Sequence, residues 1–88
     1  MTKITNSDTR ESRDATIITT HDNDLRWCIA AWAAPEYGWS KADGNGHGWQ
    51  LVRANEDGTY SYNTTMNGGY RDSLDDVRAN ITGNYELI

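Results

Sequence analysis

Read as a β-strand, residues 25–34, Leu-Arg-Trp-Cys-Ile-Ala-Ala-Trp-Ala-Ala, have no polar face. Leu25, Trp27, Ile29, Ala31 and Ala33 point one way, and Arg26, Cys28, Ala30, Trp32 and Ala34 the other. A strand of that kind is stable only where both faces are covered, so it predicts a central strand. The same segment also admits a helix. Leu25, Cys28, Ile29 and Trp32 fall on one helical stripe, Asp24 can cap it and Pro35 can stop it. The strand is preferred because Ala15 to His21, with five β-branched residues in seven, precedes it across the polar turn Asp22-Asn23-Asp24, a hairpin layout.

The clearest pair of elements lies further on. Trp49 to Ala54 and Thr59 to Thr65 alternate around Asn55-Glu56-Asp57-Gly58, a turn in which Gly58 can adopt positive φ. This predicts a β-hairpin. Gly68-Gly69 reads as a break. Ser73 can then cap a short helix whose first turn carries Asp75 and Asp76, and whose apolar stripe is Leu74, Val77 and Ile81. Gly83 would end it, and residues 85–88 form a short apolar tail. Residues 1–14 hold one aliphatic side chain after Met1, Ile4, and read as a flexible N-terminal tail. The alternative there is an edge strand around residues 3–6. These elements predict an α+β fold, a small antiparallel sheet of about four strands with one C-terminal helix packed on it. Residues 15–88 would be a single domain.

Size and charge narrow the function. A chain of 88 residues buries roughly 60–65% of the surface its unfolded form exposes, so its core is small. The only cysteine is Cys28, which excludes an intrachain disulfide and favours a reducing setting. The polar opening does not resemble a secretory signal, and no apolar run approaches the length that spans a bilayer. The expected location is therefore the cytoplasm, with no membrane partner. The net charge of −5 falls wholly on residues 15–88, where ten acidic side chains face five scattered basic ones. That balance disfavours phosphate and favours basic protein surfaces, so no duplex nucleic acid is expected as a partner.

No catalytic or metal-binding pattern stands out. The stretch from Asp43 to Ala54 has the Asp, Asn and Gly of a calcium loop at its first, third and sixth positions, but ends on Ala54 where a bidentate Glu belongs. Cys28 sits in an apolar segment, where a thiol is inert. Asp75-Asp76 and Glu56-Asp57 are chain neighbours on a cap and a turn, a poor arrangement for shared acid–base work. Neither an enzyme nor a cofactor is expected.

The aromatics carry the remaining signal. The chain has four Trp, five Tyr and no Phe. Trp and Tyr suit surfaces that are half dry and half wet, and they anchor interfaces. Tyr37 and Trp39, in the glycine-rich loop Pro35 to Gly48, and Tyr60 and Tyr62, on one face of the hairpin, are the candidate contact residues. Glu56 and Asp57 are the candidate acidic contacts. The function expected is a small acidic, non-enzymatic protein-binding module that meets a basic partner. Inhibitors of host nucleases, including anti-CRISPR and other phage or mobile-element anti-defence proteins, are the functional class suggested by type. A homodimer is compatible with this reading. The competing expectation is a Trp/Tyr-rich module that stacks single-stranded nucleic acid or carbohydrate.

Overall fold

The computed structural model describes residues 2–20, 27–37 and 41–82. Six strands are present among them: β1 (Thr2–Asn6), β2 (Ser12–Thr20), β3 (Trp27–Ala33), β4 (His47–Ala54), β5 (Tyr60–Tyr62) and β6 (Gly68–Arg71). The turn at 22–24, the candidate Trp39 and the tail at 85–88 lie outside the described residues.

The expected α+β fold is replaced by a mostly-β one. Strands β1 to β5 follow one another antiparallel, and β5 then pairs parallel with β1, with Ile4 opposite Tyr60 and Asn6 opposite Tyr62. This parallel pair closes a five-stranded mixed barrel. Strand β6 is an addition, hydrogen-bonded to β4 along His47–Gln50. The polar opening is therefore part of the barrel. Its one aliphatic side chain, Ile4, is fully buried, while Lys3 on the opposite face is exposed.

Two cores form because β3 is covered on both sides. Inside the barrel, Ile4, Ala15, Cys28, Ala30 and Val52 pack together. Outside it, Ile29, Ala31 and Trp49 pack with Val77. The register of β2 against β3 slips between Ile17 and Thr19, so Ile18 is the extra residue of a bulge. A bulge bends and twists its strand, which helps a small sheet close on itself.

Apart from a single 3-10 turn at Lys41–Asp43, helix among the described residues is confined to the end of the chain. It consists of one α turn, α1 (Leu74–Asp76), followed by a six-residue π-helical run, Val77–Thr82. The start is capped as expected: the Asp76 backbone N–H donates to Ser73 Oγ at 3.0 Å. Asp76 also forms two hydrogen bonds with the Arg71 guanidinium, at 3.0 and 3.2 Å, which tie the helix to β6. Val77 is buried and Leu74 half-buried against the outer face of β3 and β4. The helix is thus a plug over one outer patch, not a layer.

Gly68 and Gly69 do not break the chain; they belong to β6. A Cβ at Gly68 would lie 2.5 Å from Gln50 Oε1, and one at Gly69 would lie 3.3 Å from Trp49 Nε1. Larger residues of β4 occupy the space on both faces, and glycine is what fits between them.

Candidate functional site

Strand β4 is where the sheet divides. Strand β5 pairs with it at Arg53 and Ala54, where Tyr60 and Ser61 also pair with β1 on their other side. Strand β6 takes the other end of the same edge, opposite His47–Gln50. Between the two branches opens a groove of about 350 Å³, at one mouth of the barrel. Arg13 of β2, Trp32 of β3, Gln50 of β4, Tyr62 of β5, and Gly68 and Tyr70 of β6 line it.

Each wall has a local cause. Trp32, Gly48 and Tyr70 form one row across β3, β4 and β6. The Trp32 indole lies against Gly48, where a Cβ would collide with its ring atoms. On the ring, the Arg13 guanidinium stands 4.2 Å from the centroid, in cation–π geometry. Gln50 is fixed by its amide nitrogen, which lies 3.0, 3.4 and 2.9 Å from the carbonyls of Leu51, Met66 and Asn67. Those bonds satisfy the link between β5 and β6 and leave Gln50 Oε1 beside Gly68. Among the described residues nothing donates to that oxygen. Nor does any carboxylate among them pair with Arg13.

The wall at Tyr62 is braced by two turns. Its carbonyl accepts from the Ser7 N–H at 2.8 Å. Asp8 Oδ2 accepts from the backbone N–H and the hydroxyl of Thr64, at 3.0 and 2.9 Å. These two bonds hold the Asp8 carboxyl below its usual range.

Beside the groove lies an exposed aromatic pair. Tyr37, at the start of the loop after β3, stacks on Tyr70 with ring centroids 3.9 Å apart and planes 19° apart. They are 44% and 46% exposed, the large hydrophobic side chains open to solvent among the described residues. The loop is held by the Ala34 N–H to the Gly46 carbonyl at 2.8 Å and the Tyr37 N–H to the Ala34 carbonyl at 3.0 Å. Glu36 next to Tyr37 is exposed, as is Asp75, which shares a second hollow with His47 and Asn45.

The structure does not assemble the expected contact residues into one patch. Tyr37 is exposed as anticipated, but its partner is Tyr70, which sequence reasoning passed over because it follows two glycines. Tyr60 and Tyr62 are half-buried and pack against the barrel core. The cause is the parallel pairing: Tyr60 lies opposite buried Ile4, so it shares the inward face. Glu56 and Asp57 are exposed on the β4–β5 turn, at the far end of β4 from Tyr70. Seven residue-to-residue steps along the strand separate Gly48 from Asn55, roughly 23 Å. Asp57 Oδ1 is engaged locally, accepting from the Thr59 N–H at 3.0 Å and the Thr59 hydroxyl at 2.6 Å. Those bonds hold its carboxyl below the usual range, the hydroxyl contributing most. Gly58 takes φ +86° there, as the turn requires.

Burial pushes the Cys28 thiol up from its ordinary pKa, which makes it a packing group. The arrangement as a whole offers aromatic surface, one cation and one fixed carbonyl acceptor in an open groove. Comparison with protein-family models, with curated proteins and with solved structures yields no match to this chain.

Proposed function

We propose that this protein is a small, acidic, non-enzymatic binding module that engages another protein through the Tyr37–Tyr70 pair and the adjoining groove. The observation that supports it most is the exposed stacked pair, set at the end of β4 beside Glu36. Exposed tyrosines that hold each other in place lose little conformational freedom on binding, which suits an interface anchor. Carboxylates around such an anchor speed encounter with a basic surface. An inhibitor of a nucleic-acid-binding or nuclease partner, of the anti-defence type, is the specific class we favour, because such partners carry basic surfaces that a −5 chain attracts.

The competing reading, a platform that stacks bases or sugars, draws less support. The Trp32 ring is already in contact with Gly48 and with the Arg13 guanidinium. Tyr37 and Tyr70 each give one face to the other.

Affinity capture from a lysate, with and without nuclease treatment, tests the proposal. A protein that co-purifies in both arms, and is lost from the folded Tyr37→Ala, Tyr70→Ala double variant, is the expected result. Nuclease-sensitive capture, or capture that ignores both substitutions, would overturn it.

A further inference from the structure

Strand β6 has one satisfied edge and one open edge. The Leu51 N–H donates to the Asn67 carbonyl at 2.9 Å, which makes these two a hydrogen-bonded pair of the antiparallel ladder. The pairs then alternate, so the backbone groups of Gly69 and Arg71 face β4 while those of Gly68 and Tyr70 face away. Among the described residues no strand pairs that outward edge. An open edge invites a further strand, and a Gly-Gly start leaves it without side chains to obstruct approach.

The groove adds chemical preference. Its ionic side chain is Arg13, whose guanidinium stands over the Trp32 ring and forms no ion pair among the described residues. A cation here, on a chain of net charge −5, marks a local site for an anion. Gln50 Oε1, held by the three carbonyl contacts of its own amide nitrogen, is an acceptor aimed beside Gly68. An extended peptide presents N–H donors for such an acceptor, and a carboxylate for the guanidinium.

We propose that the outward edge of β6 accepts an extended segment of a partner protein by strand addition, with a carboxylate of that segment seated on Arg13. The segment would lie along Gly68–Tyr70 and cross the mouth of the groove. This rests on the protein-binding reading above and names the form of the bound segment.

The test uses the full chain labelled with nitrogen-15 and three synthetic probes. The first is an N-acetylated hexapeptide of alternating Thr and Val that ends in Glu with a free carboxylate. The second ends in an amidated Lys, and the third is the acidic peptide with alternate amides N-methylated. Amide shifts and exchange rates are followed during titration. The acidic peptide should slow exchange at Gly68 and Tyr70, and bind about tenfold tighter than the Lys peptide. The N-methylated peptide should fail to bind. Arg13→Ala should erase the tenfold preference while the effect on Gly68 and Tyr70 persists. Unchanged amides at Gly68 and Tyr70 with millimolar acidic peptide would overturn the inference, as would equal binding of the N-methylated probe. A preference that survives Arg13→Ala would overturn the role of that residue. If the peptides fail while protein capture still depends on Tyr37 and Tyr70, strand addition falls alone. If both fail, the protein-binding reading falls with it.

Discussion

A single carboxylate, Asp8, illustrates how polar side chains hold a barrel this small. It joins the β1–β2 turn to the residues after β5 through Thr64, and so braces Tyr62 at the groove. Its folded pKa is lowered, so the stabilisation it gives is present above the unfolded carboxylate value, about 3.9, and is lost as pH falls through the folded value. Asp8→Asn should therefore lower the urea midpoint at pH 7. The gap from the parent chain should hold down to about pH 5 and close below about pH 4. A gap that persists at pH 2 would mean that the carboxylate charge is not the cause. The second titratable group, Cys28, behaves in the opposite sense. It is 1% exposed among Ile4, Ala30 and Val52, and burial disfavours its thiolate. Alkylation by iodoacetamide at pH 8 should be negligible in the native chain and complete within minutes in 8 M urea. Rapid native labelling would show that the barrel opens readily around β3.

Elements differ in how plainly the sequence announces them. Strand β3 was legible because two apolar faces need two covers, and the structure supplies the barrel core on one side and Val77 on the other. The β4–β5 hairpin and the Ser73 cap were legible because turn and cap chemistry is local. Strand β1 was legible only as the alternative reading, an edge strand around residues 3–6, since one buried residue, Ile4, leaves no alternation above the noise of a polar stretch. Strand β6 was hidden for a different reason. Its glycines answer to Gln50 and Trp49 on a neighbouring strand, and one-dimensional reading takes Gly-Gly for a break. Missing β6 hid the fork at β4, and with it Arg13, Trp32 and Tyr70 as site residues. The helix was placed correctly but given too large a part. Among the described side chains of the helix Val77 is the fully buried one, so Val77→Ala should cost about 1.5–3 kcal/mol. Leu74→Ala, at a half-buried position, should cost less. Chemical denaturation of the two variants checks the order, and a larger loss at Leu74 would show that the helix packs through its first turn.

At the scale of the whole molecule, stability hangs on closure. Neighbouring strands from β1 to β5 meet through short connections or simple antiparallel pairing, but the last seam joins Ile4 to Tyr60 across most of the chain. Non-local pairing of this kind is formed only after a large loop is closed, so it limits folding and is the seam most sensitive to loss of packing. A domain of this length has roughly 4–13 kcal/mol of stability in total. Ile4 is fully buried, and it is the side chain through which β1 enters the barrel core. Ile4→Ala should therefore cost about 2–4 kcal/mol. Thr5→Ala, on the same strand but facing away from that core, should cost under about 1 kcal/mol. The amide of Ile4 should also exchange only by global unfolding, at a rate matching the amides of Ile29 and Val52. A detachable N-terminal segment would give the reverse pattern. The urea curve of Ile4→Ala would overlay the parent, and exchange in β1 would run far ahead of β3 and β4. The two measurements separate a seam that completes the barrel from a strand that only rests on it. With an intact seam, Tyr62 and the turn at Asp8 stay fixed beside the groove, and the fork at β4 keeps its shape for a partner.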